Sequence, residues 1–170
     1  MRVRFVFFFA ATMFSLSTHA APCREAKLEK VSDVDPECLY YKGTRLFRSK
    51  DYAGASVQWQ ALVDLKDISK KSAHLQDDAN NNLGYLYYMG WGVEKDRMRA
   101  IQQYWIPAEQ RGHDEAGYHL CHAYATSNPK LALGYCSEAL RRYERQKALD
   151  VDESEVVSQL KKHITTLTNK

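Results

Sequence analysis

Apolar residues recur every three to four positions over most of the chain, which is the period of a helix with one buried face. Ala55, Trp59 and Leu62 are spaced by four and three, and Ala132, Cys136 and Ala139 repeat that spacing far downstream. Between them, Ala79 and Leu83 open a stretch, ANNNLGYLY, that superposes on AGYHLCHAY at an offset of 37: Ala79 on Ala116, Leu83 on Leu120, Gly84 on Cys121, Tyr87 on Tyr124. Each copy ends in a break, MGWGVEKD in one and ATSNPK in the other, and then a second helical pattern begins. Asn128 before Pro129 reads as a cap followed by a first-turn proline. The pattern predicts three antiparallel helix pairs, 37–48 with 52–66, 73–89 with 95–111, and 114–125 with 129–147. Val156, Leu160, Ile164 and Leu167 form an apolar stripe for a terminal helix over 150–168. A stack of repeats leaves an open end, and that helix is expected to cap it.

The first twenty residues stand outside this scheme. Arg2 and Arg4 precede an apolar run from Phe5 to Leu16, and Thr18-His19-Ala20 fits a cleavage site, so 1–20 reads as a signal peptide. Residues 21–36 form an N-terminal segment, 37–147 the three repeats (37–66, 73–111 and 114–147), with no second apolar run of membrane length. The chain is expected to be exported, to the periplasm or beyond. Its formal charge of +3 loses Arg2 and Arg4 with the signal, leaving +1. Charges of both signs are interspersed, which argues against a nucleic-acid partner. All four cysteines, Cys23, Cys38, Cys121 and Cys136, follow the signal, and an even number in an oxidising compartment reads as two disulfides. Three pairings are open; Cys23–Cys38 and Cys121–Cys136 are favoured because each pair is local and fifteen apart.

Ala79, Leu83, Gly84, Tyr87, Gly90, Gly92, Val93, Asp96 and Ala100, continued by Tyr104, Ala108, Glu109 and Gly112, resemble the Sel-one-like repeat, one of the tetratricopeptide-like families. The resemblance spans roughly 37–147. It is densest in the middle unit, while the first has the tight Lys50-Asp51-Tyr52 turn of an ordinary tetratricopeptide repeat and the third lacks the glycine-x-glycine connection. The resemblance implies a short right-handed α-solenoid. It also sets Cys121 at the family's small glycine and Cys136 at the large aromatic of the partner helix, which strengthens that disulfide. Ala100 to Gly112 is one residue longer than the family pattern and contains Pro107, so a kink or bulge is expected there.

Catalytic motifs are absent: no G-x-S-x-G elbow, no H-E-x-x-H, no phosphate-binding loop. Ser127 and Lys130 spell S-x-x-K, which reads as a helix-capping turn. His119 and His122 are three apart without a third ligand at metal spacing, and no metal or cofactor is expected. In a solenoid of the resembled kind the first helix of each pair lines the concave face. That places Glu37, Tyr40, Tyr41, Thr44 and Arg48 there, then Asp78, Asn81, Asn82, Tyr85 and Tyr88, then Glu115, Tyr118, His119 and His122. Aromatic rings beside amides suit an extended peptide. Tyr40, Thr44, Asp78, Asn81, Asn82, Tyr85, Tyr88, Tyr118, His119 and His122 are therefore the candidate contacts, with Asn81 foremost. The expectation is a non-catalytic scaffold that binds a protein or peptide. The alternative is a cell-envelope enzyme or enzyme modulator acting on peptidoglycan or a β-lactam-like ligand.

Overall fold

A computed structural model describes residues 35–146 and 151–169, and it is all-helical. The signal segment and Cys23, with the Cys23–Cys38 pairing, lie outside the described residues. Helix α1 is Pro36–Arg48, α2 Tyr52–Val63 and α3 Ala73–Met89. The next helix begins as α4, Arg97–Arg99, passes through a π-helical segment, Ala100–Trp105, and ends as α5, Ile106–Gln110. Then come α6, Asp114–Tyr124, α7, Pro129–Tyr143, and α8, Val151–Thr168. Each long helix packs mainly on the one before it and the one after it.

The helix starts are written in side chains. Asp35, Asp51, Asp96 and Asn128 each accept a hydrogen bond from an amide two or three residues on, at 2.9–3.1 Å, which satisfies a donor that has no intrahelical partner. At the other end of α2, Gln76 Nε2 donates to the carbonyls of Leu62 and Leu65, so a residue of α3 completes the last turn of its neighbour. Gly90 closes α3 in the left-handed conformation, φ 77°.

The loop after α3 is held tightly. Gly92 has φ +68°, and a Cβ there would lie 2.3 Å from the Ala53 nitrogen and 2.4 Å from the Tyr52 carbonyl carbon. Trp91 beside it is a packed residue, stacked on Tyr52 with centroids 4.9 Å apart and edge-on to Tyr85 at 5.4 Å. Since backbone atoms cannot yield as a flexible side chain does, Gly92→Ala should lower stability by about 1–3 kcal/mol, as read by chemical denaturation.

One inter-helix contact is made three times. In the first pair, Trp59 lies on Gly43 and its Nε1 donates to the Tyr40 carbonyl at 3.3 Å; a Cβ on Gly43 would sit 2.6 Å from that nitrogen. In the second, Trp105 lies on Gly84 and its Nε1 donates to the Asn81 carbonyl at 3.1 Å; a Cβ on Gly84 would sit 2.3 Å away. In the third, the place of glycine and tryptophan is taken by the Cys121–Cys136 disulfide, with Cα atoms 4.8 Å apart and both residues fully buried. A stacked tyrosine pair accompanies the last two: Tyr87 on Tyr104 at 5.3 Å, and Tyr124 on Tyr135 at 5.9 Å.

The extra residue lies in the second helix of the middle pair. Ala55 to Trp59 is four positions, Ala132 to Cys136 is four, but Ala100 to Trp105 is five. The π segment covers the interval from Ala100 to Trp105, just ahead of Pro107. An α-helix turns 100° per residue, so buried positions at Ala100, Tyr104 and Ala108 would drift about 80° around it. The wider π turn takes up that drift. The residue against the glycine is Trp105, one position beyond Tyr104.

The core is segmented along the chain. Ala55, Trp59, Leu62, Leu75, Ala79, Leu83 and Leu86 form one cluster, and Ala100, Ile101, Trp105, Ala116 and Leu120 the next. The last joins the disulfide, Ala132, Ala139 and Tyr143 to Leu160 and Leu167 of α8, so α8 covers the third pair. Burying each leucine contributes roughly 1.5–3 kcal/mol.

Candidate functional site

The candidate contacts come from α1, α3 and α6, and polar and aromatic contacts link these helices in series. Between α1 and α3, burial and then the Asp78 carboxylate push the Tyr40 phenol above its ordinary range, and hydrogen bonding to Asn82 opposes the shift. Tyr41, 59% exposed, meets Tyr40 edge-on at 5.5 Å. Thr44 turns its hydroxyl back onto the Tyr40 carbonyl at 3.0 Å. Between α3 and α6, His113 Nε2 lies 3.1 Å from Asp78 Oδ1, and Asn81 Nδ2 donates to Glu115 Oε2 at 2.9 Å. Tyr85 packs against His119 with centroids 5.7 Å apart. Between α6 and α8, the Tyr118 hydroxyl donates to Gln159 and His122 meets His163 edge-on at 4.2 Å.

Not every candidate faces outward. Asn81 is 2% exposed: its amide nitrogen holds Glu115, its carbonyl holds Trp105, and its Oδ1 is buried with no partner among the described residues. The half-exposed neighbour Asn82 occupies the surface instead. Tyr88 packs on Trp105 at 5.1 Å and carries the Arg97 guanidinium over its ring at 5.0 Å. His119 stacks on Trp105 at 4.8 Å and points Nε2 to Glu115 Oε1, 3.6 Å away.

His113, Gln159 and His163 also belong to these contacts, although none of them is among the candidate contacts on the helix faces. His113 caps α6 through Nδ1, which accepts from the Ala116 amide at 3.2 Å. That places the ring proton on Nε2, directed at Asp78. The signal for it was present, since a residue one before a helix start is a natural cap, but histidine is uncommon in that role. Gln159 and His163 reach α6 from α8, each 41 residues beyond its partner in the chain, a pairing that spacing within one helix does not encode.

Glu115 and His122 also have their ionisation set by this arrangement. Hydrogen bonding from His119 holds the Glu115 carboxyl below its usual range, against the opposing effect of burial. Burial first, then His163 and His119, lowers His122 to about 4. Its Nε2 is buried with no partner among the described residues. The folded protein therefore binds fewer protons at His122 than the unfolded chain between about pH 6.5 and about pH 4. Its stability should fall as pH drops through that window and be insensitive to this residue above it. Thermal melts of wild type and His122→Phe across pH 4–7.5 check this; the variant should have the flatter profile between 6.5 and 4.

Elsewhere, Ser127 and Lys130 are exposed on the turn that Asn128 caps. Among the described residues no three His, Cys, Asp or Glu side chains converge as metal ligands, and no helix is long and apolar enough to cross a membrane. A shallow cleft of about 460 Å³ is lined by Gln60, Asp64, Leu83, Tyr87 and Arg99 among others, and shares no residue with the row from Tyr40 to His163. No family model matches the chain, and no curated protein matches it.

Proposed function

We propose that the chain is an exported, non-catalytic helical-repeat scaffold of the Sel-one-like kind, a short right-handed α-solenoid that binds an extended segment of a protein partner along its first-helix face. The observation that carries this reading is the series of contacts that joins α1 to α3 through Tyr40, Asp78 and Asn82, α3 to α6 through Tyr85 and His119, and, by way of Tyr118, α6 to α8 at Gln159. Half-exposed rings next to amides offer side-chain pockets and hydrogen-bonding groups for a peptide backbone. The threefold recurrence of the Gly43–Trp59, Gly84–Trp105 and Cys121–Cys136 contact supports the repeat reading. The disulfide supports an oxidising compartment outside the cytosol.

The test is affinity capture from cell-envelope and extracellular extract with wild type, with Asn82→Ala/Tyr85→Ala, and with the exposed off-face control Gln102→Ala. Partners recovered by wild type and the control should be lost with the double variant. Equal recovery by all three overturns the proposal.

A further inference from the structure

Resting on that reading, we propose that the seam where α1, α3 and α6 meet takes the ammonium or guanidinium of a lysine or arginine on the partner polypeptide, held between the Asp78 and Glu115 carboxylates against the Tyr40 ring.

Both carboxylates reach solvent, with Asp78 34% and Glu115 54% exposed at the side chain. Asp78 Oδ1 receives the His113 ring and Glu115 Oε2 receives Asn81, yet each carboxylate has about four lone-pair positions, so acceptor capacity remains. Countercharge is scarce. Arg111 is committed to Asp77, and His113 uses Nδ1 as an acceptor for the Ala116 amide, leaving it a single ring proton, the one facing Asp78. His119 sits 3.6 Å from Glu115. Among the described residues, neither Asp78 nor Glu115 is paired with a lysine or arginine.

A second, independent observation comes from Asn81. It is 2% exposed, its amide is directed into the seam by the bond to Glu115, and its Oδ1 has no partner among the described residues. A buried acceptor left alone is costly, and what completes it is a donor. An ammonium or guanidinium, which carries several N–H donors and a positive charge, can supply that donor while it meets the two carboxylates. The negative field extends to α1, where both Asp78 and Glu115 act to raise the Tyr40 phenol. The rings of Tyr40 and the exposed Tyr41 can cover an aliphatic stem and attract its cation. The row runs on across α6 to α8, which favours a side chain carried on an extended polypeptide over a free amine.

Two isosteric variants remove charge without removing the internal bonds. Asp78→Asn keeps an oxygen for His113, and Glu115→Gln keeps one for Asn81. The probes are a fluorescein-labelled nonapeptide of glycine and serine with three lysines, the same peptide with norleucine or glutamate in place of lysine, and spermidine as competitor, read by fluorescence anisotropy at low salt. Wild type should bind the lysine peptide, bind the glutamate peptide more weakly, and lose affinity as salt rises. Asp78→Asn/Glu115→Gln should weaken the lysine peptide by about tenfold, the sum of two modest charge contacts, with its melting curve confirming the fold. Equal binding of the lysine and norleucine peptides overturns the proposal; if Tyr85→Ala then abolishes both, the face still docks peptides and only the cation site fails. Failure of wild type to bind any peptide overturns it too, as does spermidine binding as tightly as the lysine peptide.

Discussion

Trp105→Ala should destabilise the protein by about 3–5 kcal/mol, enough to lower its melting temperature by roughly 10 °C or more. The ring is 1% exposed and joins three elements: it lies on Gly84, donates to the Asn81 carbonyl of α3, and stacks under His119 of α6. Its removal leaves a cavity at the centre of the chain and takes from the Asn81 carbonyl the donor that it accepts besides its own helix. Gly84→Ala attacks the same contact from the other side. The new Cβ would fall 2.3 Å from Nε1, and a ring buried on all sides has nowhere to move. Trp91→Ala, on a partly exposed loop tryptophan, should cost clearly less. Guanidinium titrations of the three variants measure the difference, and a Trp105→Ala loss no larger than that of Trp91→Ala would contradict the assigned role.

The second large effect is expected from the disulfide. Cys121 and Cys136 close a loop of separation 15, so Cys121→Ala/Cys136→Ala should cost about 3 kcal/mol. The fold offers an unusual control. Because a glycine and a tryptophan make the equivalent contact in the other two pairs, Cys121→Gly/Cys136→Trp should melt above the double alanine variant. That outcome would show that the covalent bond and the indole solve the same packing problem. A tryptophan variant melting below the alanine one would mean that α8, through Leu160 and Leu167, has closed the space that the ring needs.

Much of this was legible in the sequence, and the exceptions have physical reasons. Four-and-three spacings marked the helices, because burial on one face forces that period, and the alignment of Gly84 with Cys121 pointed to the disulfide found. The bulge expected from the extra residue and Pro107 is the π segment. Less legible was which of two adjacent residues faces inward. Asn81 and Asn82 are 100° apart on α3, and only the position of α6, through Glu115 and Trp105, turns Asn81 inside. Tyr104 and Trp105 pose the same ambiguity, resolved by a π turn whose placement depends on the tertiary contact it serves. The His122–His163 and Tyr118–Gln159 contacts join helices far apart in sequence, and spacing carries no information about such pairs.

The π segment has one more consequence. It is an inserted residue that the helix has absorbed within six positions, from Ala100 to Trp105, while Trp105 and Ala108 keep the three-residue step seen from Trp59 to Leu62 and from Cys136 to Ala139. Length and orientation are uncoupled at this point: the chain can gain a residue there, and whatever follows still arrives at α6 the right way round. A splice that adds a residue to the regular helices α3 or α7 would turn the face that carries Asn82 and Tyr85, or the one that carries Cys136, away from its partner.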